Sequence, residues 1–397
     1  MPRHDYGDGP ESDHLEGRGA WRAAAVLALT GLTMLGLAVP SEGGFAFRKP
    51  LAINGSQVVG GPHLDFPVLV SIVDPDLRSV ANGGGVESDQ GYDIAFRAAD
   101  GTTPLDWEIE WYDPTNGALV AWVRFPGTVG PPDTRIQNGV DTPFYAYYGD
   151  PTIGCCQTSH GDVWDANFRY VLHLDQFTGN PVDSTRNGVG TQVDPNGDGV
   201  EIYRGNMGSP INLVAWDLAT DVHLPTPPPP TYGPTTDTYL RVVDGTIPAD
   251  QPYTFEAWFR MDNVNPNYVG IVTKGRDGGF ADWAGLWVSD IANGNVMTNG
   301  NNTNGDVFGS TTLVTNRWYY GAVTWTTGRR RVYLYDLGEA NDTAGPFTHG
   351  AITLPSRVGD DSNGSYLDGR IDEIRVSNVE RSSQWLQTTA RNQACSA

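Results

Sequence analysis

The chain has 397 residues, with 25 Lys+Arg against 47 Asp+Glu and a formal net charge of −22. So acidic a surface repels phosphate backbones, which excludes nucleic acid as a partner; it suits divalent cations and a soluble exported protein. With 49 Gly, 28 Pro, 11% aromatics and no long run of apolar residues at three- and four-residue spacing, helical bundles are excluded too, and an all-β class leads.

Taken in chain order, residues 23–39 (AAAVLALTGLTMLGLAV) form the one long apolar run. Arg18 and Arg22 precede it, and Gly44, Phe45 and Ala46 follow with small residues at the positions a signal peptidase needs. This reads as a secretory signal peptide over residues 1–46, which places the mature protein in the periplasm or outside the cell. An uncleaved anchor is the alternative, although the run is slightly shorter than the about 20 residues of a membrane span. Asp5, Asp8, Glu11, Asp13 and Glu16 make the leader unusually acidic. No Cys follows the run and no Arg-Arg pair precedes it, which argues against a lipoprotein and the twin-arginine route. Residues 1–46 hold 3 basic and 6 acidic groups, so the mature chain keeps 22 and 41, a net of −19.

Residues 47–153 read as a first unit, a small antiparallel sandwich. Phe66–Val73 and Phe144–Tyr148 are strand-like. Leu105–Tyr112 alternates strictly, putting Trp107, Ile109 and Trp111 on one face and Glu108, Glu110 and Tyr112 on the other, solvent face. The turn Asp113–Gly117 joins it to Leu119–Phe125 as a hairpin. The blocks FPVLVSI, GYDIAFRAADGTTPLDWEIEWYDPTNGALVAWVRFP and FYAYYGDPT resemble the bacterial family called domain of unknown function 2341, over most of Leu51–Thr152. The resemblance implies association with a following LamG-like domain and, in some members, with ExbB/TolQ-type transport components.

Residues 154–162 are a polar connector. Cys155, Cys156 and Cys395 are the three cysteines, and the simplest arrangement in an exported chain bridges one of the adjacent pair to Cys395. Residues 163–397 form the second unit. Its strands are expected at Tyr170–Leu174, Tyr253–Met261, Gly285–Val288, Trp318–Trp325, Arg331–Tyr335 and, as a closing strand, within Gly369–Ser382, the last half-buried through Ile371, Ile374 and Val376. Arg329, Arg330 and Arg331 read as a solvated hairpin turn. Leu224–Thr236 is a stiff proline-rich loop. Ser382 is expected to cap a short helix running to about Gln393. HLD followed by DSTRNG, then FEAWFR, RWYYGAVTW and GRIDEIRVS resemble, in order, LamG-like jelly rolls of the concanavalin A-like superfamily. The fold expected is therefore all-β: two antiparallel β-sandwich domains, the second a concanavalin A-like (LamG-like) jelly roll.

Chemistry is sparse. Asp194, Asn196, Asp198 and Glu201 in DPNGDGVE offer oxygen ligands around a glycine turn and are the candidate Ca2+ loop, though Gly205 stands where an EF-hand has its closing Glu. Asp183, Asp360, Asp361 and Asp372 are weaker candidates. Asp372–Glu373 and Glu108/Glu110 have carboxylate pairs of the kind a glycosidase uses, but no laminarinase-type E-x-D-x-x-E occurs, and both pairs read as surface charge. No G-x-S-x-G, H-E-x-x-H or Walker loop is present. His173, among Val171, Leu172 and Leu174, reads as a packed histidine. Trp283, with Phe280 and Asp282 beside it, is the candidate sugar-stacking site, while Trp287 and Tyr268 read as core. The expected role is non-catalytic recognition of a glycan or a cell-surface protein through rim loops, with calcium bracing one of them and no membrane span in the mature chain. A glycoside hydrolase and an accessory part of an ExbB/TolQ-type envelope system are the alternatives.

Overall fold

In a computed structural model, the structure describes residues 44–155, 161–176, 179–193, 203–205, 215–217, 239–262, 268–275, 282–289, 296–301, 305–335, 342–360 and 367–394. The apolar run 23–39, the proline-rich segment 224–236 and the acidic loop 194–201 lie outside those residues.

The first part of the chain supplies β1 (Phe47–Ile53), β2 (Phe66–Val73), β3 (Ala95–Ala98), β4 (Trp107–Asp113), β5 (Ala118–Phe125) and β6 (Thr142–Tyr148). They pair as two antiparallel sheets, β1-β6-β3 and β2-β5-β4. Phe144 of one sheet meets Phe125 of the other edge-on at 5.3 Å, and Phe96 meets Trp107 at 6.4 Å. Phe45 is only 4% exposed in this core, and the Ala46 amide donates to the Gly149 carbonyl at 3.1 Å. The last residues assigned to the leader are thus part of the fold.

Next in the chain come β7 (Phe168–Leu172), β8 (Gly190–Val193), β9 (Tyr203–Gly205), β10 (Ala215–Asp217), β11 (Leu240–Val243), β12 (Tyr253–Met261) and β13 (Val269–Lys274). They are followed by β14 (Ala284–Val288), β15 (Val296–Asn301), β16 (Val307–Thr312), β17 (Trp318–Thr326), β18 (Arg329–Leu334), β19 (Asp342–Ala344), β20 (Ser356–Val358) and β21 (Gly369–Ser377), then α1 (Ser383–Ala394). One sheet runs β19-β18-β17-β12-β21-β10-β9, with β7 also on β21, and the other runs β16-β15-β14-β13-β20-β11-β8. Phe255, Phe259, Val323, Ile371, Ile374 and Val376 of the first sheet share a buried core with Leu240, Val272 and Leu286 of the second. This is the jelly roll, held by two facing antiparallel sheets.

The sheet holding β21 is buried on both faces. Trp258, Tyr320 and Tyr333 point away from the jelly-roll core and join the apolar cluster of the first six strands. Trp122 on β5 belongs to the same cluster, and its ring lies 4.3 Å from the guanidinium carbon of Arg375 on β21. Four sheets therefore stack, with β2-β5-β4 against the β21 sheet in the middle. This corrects three expectations. β21 is a central strand rather than a half-buried closing one. Arg330 and Arg331 lie within β18 rather than in its turn, and Arg330, 1% exposed, donates to the Asn299 carbonyl, while Arg331 pairs with Glu380 at 3.1 Å. Finally, β4 does not alternate strictly. Ile109 pairs with Ala121 and Trp111 with Val120, so Glu110 is a bulge residue and Ile109 and Trp111 face opposite sides.

The helix α1 crosses back onto the first sheets. Ser382 Oγ accepts from the Trp385 amide at 3.1 Å, the expected cap. Asn392 accepts from the Leu69 amide at 2.7 Å and donates to the Leu69 carbonyl at 3.1 Å, so its amide satisfies the open edge of β2. His63 Nε2 donates to the Val59 carbonyl at 3.0 Å and lies 3.1 Å from Thr388 Oγ1, with the Phe66 and Trp385 rings beside it. Burial holds this imidazole below its ordinary value of 6.5. A neutral buried His contributes nothing above the unfolded value, and stability is lost as pH falls below it. The His63 contribution is therefore expected as a difference between chains: from about pH 7.5 to about pH 5.5 the unsubstituted protein should lose stability relative to His63→Phe in chemical denaturation. An equal change in both chains would remove His63 as the source.

Candidate functional site

Where the two middle sheets meet, the chain buries a titratable cluster. Glu108 and Glu373 are each 1% exposed, and the Glu110 side chain is inaccessible. The expectation that Glu108/Glu110 and Asp372–Glu373 are surface charge is thus corrected: each strand's outer face is covered by the other sheet. β21 carries one extra residue opposite β12, between the pairs Glu256–Arg375 and Trp258–Asp372, and Glu373 has φ +51°. Two of the three glutamates therefore sit at β-bulges, which re-aim side chains.

His173 follows β7 directly, before Leu174 with φ +57°. Its Nδ1 is 2.7 Å from Glu373 Oε1 and 3.6 Å from Glu110 Oε2, and its Nε2 is 3.1 Å from Glu108 Oε1. It is an ion-paired histidine, which corrects the reading of an apolar packed one. The indoles complete the shell: Trp164 Nε1 donates to Glu108 at 2.6 Å and Trp122 Nε1 to Glu110 at 2.8 Å. Arg375 donates to Glu373 Oε2 at 2.6 Å and stacks over Trp122 and Trp164, with its guanidinium carbon 4.3 and 4.9 Å from the ring centroids.

Electrostatics follow from burial and pairing. Burial pushes the Glu110 carboxyl up to about 8 against the pull of His173. Burial opposes charge on His173, but Glu373 and Glu110 outweigh it and hold the imidazole well above its ordinary value. Burial likewise opposes charge on Glu373, and His173 and Arg375 outweigh it, so this carboxylate stays below its ordinary value. The result is a dry network of charges on two pairs of strands, closed to a polymeric substrate.

Of the rim residues, Trp283 is half-buried just before β14, with its ring 5.0 Å from Trp287 and nearly perpendicular to it. Trp287 is buried, as expected. Gly275 (φ +85°) closes the stem of this hairpin: a β carbon there would lie 2.4 Å from the Asp282 carbonyl oxygen. Asp282 and Trp283 are therefore presented together at the hairpin stem, while Phe280 lies outside the described residues. So do Asp194, Asn196, Asp198 and Glu201, together with Asp361, Cys156 and Cys395; Cys155 is exposed. The remaining acids have structural partners. Asp183 accepts from the Val171, Thr185 and Val189 amides, Asp360 pairs with Arg357 at 2.6 Å, and buried Asp372 accepts from the Glu373 amide at 2.9 Å.

No curated protein matches the chain. Among solved structures it is similar to domain 4 of AbnA, a GH43 extracellular arabinanase from Geobacillus stearothermophilus in complex with arabinotriose. That match has 16% identity and a TM-score of 0.41, covering 58% of this chain and 100% of that one. It is also similar to the botulinum neurotoxin serotype D binding domain, at 13% identity and a TM-score of 0.40 over 57% of this chain. The serotype D ligand-binding domain in complex with N-acetylneuraminic acid matches at 14% identity and a TM-score of 0.39, again over 57% of this chain. The chain spans 51% of the length of each of these neurotoxin domains. Residues 234–387, which hold β11 to β21 and the first turn of α1, match the family described as the concanavalin A-like lectin/glucanases superfamily.

Proposed function

We propose that the protein is an exported, non-catalytic recognition protein whose jelly roll binds a glycan through rim loops. The observation that carries this reading is the family match over residues 234–387, within which Trp283 stands half-buried at a hairpin stem beside Asp282. An aromatic ring held on edge by a second tryptophan offers a flat face for a sugar, and an adjacent carboxylate can accept from hydroxyls. The carboxylates that could serve a hydrolase are instead sealed between sheets, which supports binding over cleavage. Among the described residues no helix is long and apolar enough to cross a membrane. Export through the leader, calcium in the 194–201 loop and partnership with an envelope transport system belong to the same proposal.

The test is a glycan array probed with the mature chain, with and without a calcium chelator. Binding to a defined glycan class is expected, with Trp283→Ala reducing it by up to about tenfold, the scale of a lost stacking contact. Chelation and Asp194→Ala/Asp198→Ala should weaken it together if the loop holds calcium. Unchanged binding in Trp283→Ala would move the site elsewhere, and release of reducing sugar would sink the non-catalytic reading.

A further inference from the structure

We propose that Glu110, His173 and Glu373 form a divalent transition-metal site of the zinc class, buried between the two middle sheets. The site is independent of glycan binding and of the 194–201 loop. One donor atom from each residue lies within 4.8 Å of the others. Zinc takes nitrogen and oxygen ligands at about 2.0–2.2 Å, so tetrahedral donors stand about 3.4 Å apart. The His173 Nδ1 separations of 2.7 and 3.6 Å from Glu373 and Glu110 bracket that spacing.

The outer shell has the arrangement that a metal-binding histidine needs. Its second nitrogen, Nε2, is held by Glu108 at 3.1 Å, which fixes the ring and directs Nδ1 toward the two carboxylates. Glu108 is in turn held by Trp164, Glu110 by Trp122 and Glu373 by Arg375. Each carboxylate ligand thus has one oxygen oriented by a neighbouring donor.

Imidazole nitrogen selects zinc-class ions over calcium, which takes oxygen ligands. Because the donors are buried, the ion is expected to enter as the chain folds.

The experiment uses the full chain, produced with zinc in the medium and purified in a large excess of Ca2+. One zinc per chain is expected by elemental analysis. Glu110→Gln and His173→Gln should each lose it, and Glu108→Gln should weaken retention by about 10–100-fold, as for an orienting residue. X-ray absorption at the zinc edge of the unsubstituted protein should show one nitrogen with oxygen neighbours, a readout that does not depend on any variant folding. Three results would overturn the site: no retained zinc, equal zinc in Glu110→Gln and His173→Gln, or a sulfur-containing or all-oxygen shell.

Discussion

Replacing Arg375 with alanine is expected to cost about 3–5 kcal/mol of stability, the scale of removing one partner of a buried ion pair. The guanidinium is one of two cations on Glu373, at 2.6 Å beside His173 at 2.7 Å, and it also acts on buried Glu256, which donor Tyr320 reaches at 2.5 Å. It lies over the Trp122 and Trp164 rings as well, contacts worth up to about 2 kcal/mol each when desolvated. What dominates is the buried carboxylate left behind, because an intact buried pair contributes little net while a broken one is penalised in full. The double variant Arg375→Met/Glu373→Gln should therefore recover most of the loss. Denaturant unfolding checks both chains. A cost below about 1 kcal/mol for Arg375→Ala, or no recovery in the double variant, would show that the network does not join the sheets.

The second large effect is expected at Trp385. Its ring packs edge-on against Phe66 at 4.6 Å and under the Arg381 guanidinium at 4.5 Å, and it belongs to the core of the first six strands although it lies more than 200 residues away in sequence. Truncation to alanine opens a cavity that rigid sheets cannot close, for about 3–5 kcal/mol. It also loosens the helix whose Asn392 covers the edge of β2. Hydrogen exchange reads this directly: the Leu69 amide, which donates to Asn392 at 2.7 Å, should lose protection in Trp385→Ala, while amides of β13 and β14 stay protected. Uniform loss across the chain would instead mean that the four sheets unfold as one unit.

Strand positions, the β4–β5 hairpin and the Ser382 cap were legible because they rest on local rules: alternation, turn residues and a hydroxyl before a helix. Two further signals were present in the chain. Ala118–Val123 reads ALVAWV with no polar residue, the pattern of a strand covered on both faces. Ile371 and Ile374 stand three apart where a regular strand would place them two apart, which marks the β21 bulge. Nothing local announced the bulge at Glu110, because Trp107, Ile109 and Trp111 alternate without a break.

By itself, the order of residues determined an all-β chain, most of its strands and a jelly-roll resemblance over its second half, since periodicity reports how a strand meets whatever covers it. Only the tertiary structure decided what lies on the far side of each sheet. Glu108, Glu110, His173, Glu373 and Arg375 look like solvent-facing charges or packing residues when each strand is read alone. They become one buried network when β5 stacks on β21, because burial and charge pairing belong to the contact between strands about 250 residues apart rather than to either sequence segment.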